Sequence, residues 1–528
     1  MLSEQSSEGR SLGWLLLLTV LLSAAWFLAH GNVGLDLWDE GYLWHNVQRT
    51  YQGAVPIRDF RSYDPGRYYW GALWFHILGP GIMPLRMALR IFQMMGLFFG
   101  LWAVRRVVPS GIWLVPAGVC LLLWMFPSCR NFEHSLIMMA VFGAVSLIEK
   151  PNIARHFAAG VLVGVAAWFG RHLGVYLFFG FLLVIGFGEP RARIPDLARR
   201  YVSWGAGIVM GYLPMIMMLL FVPGFATAFF DSILRLFGPY APVKPMPIPW
   251  PWALSFTGLS AQAALCALLL GIGFVILWTF YLGSLVIMVL SRRNSGHPPP
   301  LWAASFLMGI PLLHYINGRA EFTHFALGVH PLLIGLIALT AHAARQKQPV
   351  RTLLMLSPLV VLLTLILIQP QGMSMAVRRV NTLVRGEGDL VRCNMNGEPL
   401  WLDQSEASHI EGIRGLLATR LSANENILVA PFEAGLYPIL QRSAPIWDPF
   451  PIHDAPPDEQ KQSIIDLQMH NACWAIVDNA PLDGREELRF SKTHPALWEY
   501  LMNHFERVNV PQLSGDQVFL HKPSNSSM

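Results

Sequence analysis

The run AQAALCALLLGIGFVILWTFYLGSLVIMVL, residues 261–290, contains no Asp, Glu, Lys or Arg and is followed at once by Arg292 and Arg293. Wound as a helix rising about 1.5 Å per residue, it exceeds the roughly 30 Å hydrocarbon core of a bilayer. A helix satisfies its own backbone polar groups, which is what allows such a segment to lie in lipid. Outward from this run the pattern recurs at about 12–29, 85–104, 111–127, 134–148, 156–170, 173–188, 201–222, 301–316, 324–343 and 352–369, eleven runs in all. Several fall short of the about 20 residues a full crossing needs, which suits helices that break or end around a cavity. The first run follows Arg10 and could be a signal peptide, but no small-residue cleavage site comes after it, so it is read as a retained anchor.

The composition agrees. Hydrophobic residues make up 54% of the 528 and charged residues 13%, about half the usual quarter. That excludes a disordered chain, a coiled coil or a collagen, and makes a soluble enzyme a poor fit. A net charge of +5 reads as loop anchoring and contact with lipid head groups rather than nucleic-acid binding. Five cysteines, with no metal-ligand spacing, argue against a zinc site or a disulfide framework. Pairing of Cys393 with Cys473 is left open.

Orientation follows from the connections. Arg105–Arg106, Lys150–Arg155, Arg191–Arg200, Arg292–Arg293 and Arg345–Arg351 all fall on one side of the alternating runs, and the positive-inside rule makes that side cytoplasmic. The N-terminus is then cytoplasmic and the C-terminus outside. The expected plan is a polytopic α-helical membrane protein of about eleven transmembrane helices, residues 1–370, with long outer loops at 31–84 and 223–258. A small extracytoplasmic α/β domain, 371–528, follows. Loop 31–84 reads as an amphipathic helix from Leu37 to Tyr51, a turn at Asp64-Pro65-Gly66 and an aromatic stretch. Loop 223–258 is proline-rich between Pro239 and Pro251 and suits a lid over a lipid site. In the tail, Ile427–Ala430, Trp474–Val477 and Val518–Leu520 read as strands and 408–421, 458–470 and 495–505 as helices. Its acids Asp448, Asp454, Asp478 and Asp483 sit beside prolines and turns and are read as local hydrogen-bonding residues, joined to no nearby His or Arg. Trp447 and the stretch 448–457 are candidates for facing a membrane cavity and selecting an acceptor.

The outer-face charges carry the chemistry. Asp36, Asp39 and Glu40 lie within five residues just past the first run. Asp36 reads as a helix N-cap. Asp39 is placed to act as a general base toward an alcohol acceptor, with Glu40 beside it raising its pKa or sharing a metal. Glu133 lies in Cys129-Arg130-Asn131-Phe132-Glu133-His134, read as a short loop, where Arg130 and His134 are further candidates; a salt bridge between Arg130 and Glu133 is the structural alternative. Arg171 and His172 fall at another outer turn, and Arg171 offers a fork of donors suited to phosphate or to a lipid head group. Arg319 and His324, in the stretch 314–324, are placed to reach a phosphate. Arg58, Asp59, Arg61, Asp64 and Arg67 form a mixed-sign group that also fits a solvated ion-pair network. No glycine-rich phosphate loop, nucleophile elbow or zinc-spaced histidine pair appears.

Asp39-Glu40 after the first run resembles the Asp-Glu motif in the first outer loop of the GT-C glycosyltransferases. The likeness is to the protein O-mannosyltransferase and aminoarabinose transferase branch. Gly53-Ala54-Val55-Pro56-Ile57-Arg58-Asp59-Phe60 and Tyr63-Asp64-Pro65-Gly66 resemble the segment after that motif in bacterial members. The resemblance implies a polyprenyl-phosphate sugar donor, Asp39 as catalytic base and Glu133 at the acid of the second outer loop, where an Asp is usual. The expected reaction is transfer to a hydroxyl of a glycan, lipid or protein acceptor at the outer face of a bacterial inner membrane, with Arg171, His172, Arg319 and His324, by their own chemistry, on the donor phosphate. A divalent metal is left undecided. The alternatives are a transporter or flippase of a lipid-linked glycan, and a polymerase or ligase. Against the first stands the lack of repeated halves; the second predicts a large outer loop and no terminal domain.

Overall fold

The computed structural model describes residues 2–108, 111–188, 194–240, 245–293, 298–369, 377–378, 381–382, 390–422, 425–508 and 517–522. Every one of the eleven apolar runs becomes a helix or a bent pair of helices. Five are long and apolar enough to cross a membrane: Leu12–His30, Ile82–Val104, Ser128–Glu149, Ala261–Ser291 and Pro349–Ile368. Two more runs are bent pairs of helices, Pro195–Gly211 with Leu213–Phe221 (56°) and Phe322–Gly328 with His330–Arg345 (58°). The other four runs form the shorter helices Gly111–Leu123, Ile153–Phe169, Arg171–Phe187 and Pro300–Gly309, the last continued by Leu312–Gly318. The protein is a polytopic α-helical membrane protein.

We label the helices used below α1 (Leu2–His30), α2 (Asp39–Tyr51), α3 (Gly66–Leu78), α4 (Ile82–Val104), α5 (Gly111–Leu123), α6 (Asn131–Glu149), α7 (Ile153–Phe169), α8 (Arg171–Gly188) and α9 (Ile194–Gly211). They continue as α10 (Leu213–Phe221), α11 (Phe225–Leu234), α12 (Ala261–Arg293), α13 (Pro300–Gly309), α14 (Leu312–Gly318), α15 (Phe322–Gly328), α16 (His330–Arg345) and α17 (Pro349–Ile368). By contact the chain separates into two compact units. A helical unit comprises Met1–Gly31, Met87–Ile216 and Lys244–Val377, and a mixed unit comprises Asn32–Arg86, Met217–Val243 and Arg378–Met528.

In the helical unit α6 is central, with 72% of its apolar window buried, whereas α12 and α17 bury 28% and 22% and turn leucines and valines outward toward lipid. Helices α7 and α9 cross at backbone distance. A Cβ on Gly160 would fall 2.0 Å from the Trp204 carbonyl oxygen, and one on Gly207 2.2 Å from that of Phe157. Small residues four apart allow such an approach, which is a principal source of helix association in lipid.

The mixed unit contains a hairpin, β1 (Leu390–Met395) with β2 (Glu398–Asp403), and a four-stranded sheet. The sheet order is β3-β4-β6-β5, from β3 (Asn426–Ala430), β4 (Ala472–Asp478), β5 (Glu506–Val508) and β6 (Gln517–His521). β3 and β4 are parallel, joined through the helix Pro457–Met469, and the other pairs are antiparallel. Leu428, Ala475, Val477, Phe490, Leu501 and Leu520 centre its core. Three strands and three helices of the tail lie where the sequence predicts them. The hairpin and β5 go beyond that expectation, although Asn396-Gly397, both at positive φ (52° and 97°), is the usual signature of a two-residue hairpin loop. Cys393 and Cys473 are both free thiols.

Candidate active site

Asp39 opens α2 and is half-buried. Its position is fixed from both sides. The N-cap position itself is Trp38, not Asp36 as the sequence reading has it, and Asp36 braces the helix start from two residues ahead: one carboxylate oxygen accepts from the Trp38 amide at 2.9 Å and the other from the Glu40 amide at 3.4 Å. Asp36 keeps exposed surface, yet desolvation of its carboxyl, reinforced by the charges of Asp39 and Glu40, raises its pKa to about 6. On the other side Glu40 is buried, and both its oxygens are taken by Arg86, with Nε to Oε1 and Nη2 to Oε2 each at 2.7 Å. The same Nη2 donates to the Gly34 carbonyl at 2.7 Å. The pair forms a fork that holds the residues before and after Asp39 in one geometry. Sequence reading missed Arg86, which lies inside the run that becomes α4; a charge inside an apolar run is itself the signal that could have found it.

The tail completes this platform within the mixed unit. Trp38 stacks on Phe432 with centroids 4.0 Å apart and planes within 2°. The Gly435 amide donates to the Leu37 carbonyl at 2.9 Å, and a Cβ on Gly41 would fall 2.4 Å from the Gly435 nitrogen. Glu398 caps α4, accepting from the Ile82 amide at 2.7 Å and the Met83 amide at 3.3 Å. Ala444 donates its amide to His45 Nε2 at 3.2 Å, so His45 carries its proton on Nδ1, which meets Asn46 Oδ1 at 3.0 Å.

The mixed-sign group of the first loop resolves into internal pairs. Arg58 is bidentate on Asp59 at 2.7 and 2.9 Å and also donates to the Pro223 carbonyl at 2.9 Å. Between them and Pro56, buried Ile57 adopts φ 72°, a strained conformation for a β-branched residue. Arg61 pairs with Asp448 at 2.7 Å, its own amide donates to the Trp447 carbonyl, and its carbonyl accepts from the Tyr42 hydroxyl at 2.9 Å. This corrects the reading of Asp448 as a merely local turn residue: its partner lies 387 positions away. The Trp447 indole donates to the Arg58 carbonyl at 3.2 Å and lies under Arg235, so this stretch is bound to the first loop. Arg67 is buried, with its guanidinium 4.8 Å from the centroid of the Tyr63 ring.

In the helical unit Glu133 and His134 lie not in a loop but in the first turn of α6, because the helix begins at Asn131. Both are buried. A carboxylate in a first turn is favoured by the helix dipole. His134 Nε2 donates to the Phe126 carbonyl at 3.0 Å, and its ring lies 5.0 Å from that of His330. His330 Nε2 in turn donates to the Leu121 carbonyl at 3.2 Å. The two imidazoles thus satisfy carbonyls at and just beyond the end of α5, leaving the turn that carries half-buried Arg130 defined.

The four predicted phosphate ligands gather in this unit. Arg171 and His172 open α8, where the dipole opposes a cation, so helix stabilisation does not account for the guanidinium of Arg171. The His172 ring stacks on Tyr315 at 5.5 Å and 18°, and His324 packs on the same tyrosine at 5.0 Å. Glu321 joins the other two: its Oε1 accepts from Arg319 Nε at 2.9 Å and from His324 Nδ1 at 2.8 Å. Burial pushes the Glu321 carboxyl up, but the hydrogen bonds from His324 and Arg319 outweigh it and hold its pKa at about 2. Tyr176, whose hydroxyl lies 2.9 Å from His314 Nδ1, borders the cluster. Sequence reading gave Glu321, Tyr315 and Tyr176 no role. Among the described residues no group of three or more His, Cys, Asp or Glu is assembled to hold a metal ion.

Taken with its spans, the chain is a multi-pass membrane protein. No family model and no curated protein matches its sequence. In structure it is similar to ArnT from Cupriavidus metallidurans bound to undecaprenyl phosphate, with a TM-score of 0.55 at 12% identity over 97% of this chain and 98% of that one. The apo state of the same protein matches with a TM-score of 0.53 at 13% identity, over the same shares. At such identity the likeness is one of fold.

Proposed function

We propose that the protein is a glycosyltransferase that moves a sugar from a polyprenyl-phosphate carrier to an acceptor hydroxyl at the outer face of a bacterial inner membrane. The observation that carries this reading is the clamping of Asp39: Asp36 braces the helix start on one side and the Glu40–Arg86 fork closes the other. Asp39 takes the acceptor proton as the acceptor oxygen forms its bond to the anomeric carbon. The bond from that carbon to the phosphate oxygen breaks in the same step, its electrons leave with polyprenyl phosphate, and the configuration inverts. Arg171, Arg319 and His324 stabilise the charge growing on the departing phosphate. His172 and Tyr315 support that group, and Glu321 orients Arg319 and His324. The undecaprenyl phosphate held by the similar ArnT structure supports a lipid phosphate of this chemical class. Glu133 is assigned the second acid and Glu40 the positioning of Asp39. The N-terminus is assigned to the cytoplasm, residues 1–370 to the membrane and 371–528 to the periplasm.

The test is purified protein given polyprenyl-phosphate sugars and an envelope extract, with products weighed by mass spectrometry. A glycosylated acceptor together with free polyprenyl phosphate is the expected result. Movement of intact donor across vesicles with no bond broken would replace this reading with a flippase.

A further inference from the structure

The ends of four helices of the helical unit enclose a cavity of about 190 Å³ lined by Arg106, Glu149, His342, Arg345 and the first turn of α13 at Pro299–Leu301. It has no part in the proposed transfer. Its volume is several times the ~30 Å³ that one water occupies in the liquid. Arg106 follows α4, Glu149 ends α6, and His342 and Arg345 lie in the last turn of α16. Basic residues after helix C-termini are ordinary anchors, and such anchoring accounts for Arg345 by itself. It does not account for a cavity that also takes in the N-terminal turn of a ten-residue helix, α13, where the Leu301 amide, the first donor after three prolines, lacks a helical partner and favours an anion. Arg106 spans the two roles: its guanidinium is hydrogen-bonded to Glu149 and, at 3.0 Å, to Ser146 Oγ, and it lies 5.1 Å from the centroid of the Phe142 ring. Glu149 therefore sits as a partly exposed carboxylate of the chain's own among groups suited to an anion.

We propose that this cavity binds a phosphate group, with Arg345, His342 and the Leu301 amide as its donors and Glu149 as the carboxylate it displaces from Arg106. Both an anionic phospholipid head group and free phosphate carry that chemistry. The cavity lies among helix ends of a membrane protein, where phospholipid is at hand.

The test uses the full-length protein, purified and delipidated in detergent, and titrated separately with phosphatidylglycerol, phosphatidylcholine and inorganic phosphate. Retention is read by native mass spectrometry and thermal melting. Phosphatidylglycerol is expected to bind in preference to phosphatidylcholine. The double variant His342→Asn/Arg345→Gln, altered at exposed positions, should bind it about thirty-fold more weakly. Glu149→Gln should bind it more tightly, because it removes the competing carboxylate. Saturable stabilisation by inorganic phosphate alone, lost in the double variant, supports the site and assigns it to free phosphate. Equal binding of phosphatidylglycerol by the wild type and the double variant, weaker binding by Glu149→Gln, or stabilisation by neither ligand overturns the proposal.

Discussion

At the scale of single residues, Asp36 is committed to backbone amides and Glu40 to Arg86, and together they brace the Asp39 between them. Asp39→Asn should therefore lower transfer by about 10²–10⁴-fold, the usual worth of a general base, with the melting temperature unchanged. Asp36→Asn should retain most activity, since Asn serves at a helix start as well as Asp. Turnover assays on both variants, with melting curves alongside, check this. Arg171→Lys should bind donor better than Arg171→Ala but worse than wild type, because lysine keeps the charge and loses the fork; donor titration reads the order. His45 gives a pH prediction. Burial lowers its pKa from 6.5 to about 3, against a smaller upward pull from its Asn46 hydrogen bond. Between those values the unfolded chain takes up a proton that the folded one refuses. Stability should then fall as pH drops from 6.5 toward 3, by at most about 1.4 kcal/mol per pH unit. Melting curves across that range should show a shallower slope for His45→Gln.

At the scale of elements, much of the fold is legible in the sequence and its partnerships are not. Spans announce themselves by unbroken hydropathy, and the brace at Asp36 and the start of α2 follow local rules. The bends at Tyr212 and Val329, between α9 and α10 and between α15 and α16, are each followed two residues on by a proline, Pro214 and Pro331, which removes an amide donor and marks the break in the sequence. Helix α3 reads in sequence only as an aromatic stretch, because a run such as Tyr68-Tyr69-Trp70 has no strong helix preference of its own. The charged candidates are visible as residue types, but Arg86, Asp448 and Glu321 become partners only once distant segments meet. The contact of α2 with the short helix Leu436–Ile439 offers a direct test of one such meeting. Gly41→Ala places a methyl against the Gly435 backbone and should cost about 1–3 kcal/mol, seen as a lower melting temperature with reduced activity. Gly205→Ala, where the Cβ position is open, should leave both unchanged.

At the scale of the whole molecule, the mixed unit is assembled from three stretches separated by long reaches of the helical unit. The segment carrying Asp39 is thus built into the same body as the C-terminal sheet. A chain truncated after Val377 should still insert its spans, yet leave 32–86 open to protease and inactive. Limited proteolysis of vesicles, with antibodies to the first loop, distinguishes this from a tail that is dispensable. The capping of α4 by Glu398 also has a consequence in time. The amides of Ile82 and the carboxylate that satisfies them are 316 residues apart, so at ~5–20 residues per second of synthesis the ribosome needs about 15–60 s to supply the second after the first. During that interval the start of α4 is uncapped and the platform under Asp39 is incomplete. A nascent chain is therefore inserted long before it is competent, and one stalled before residue 398 never acquires the cap that completes the platform.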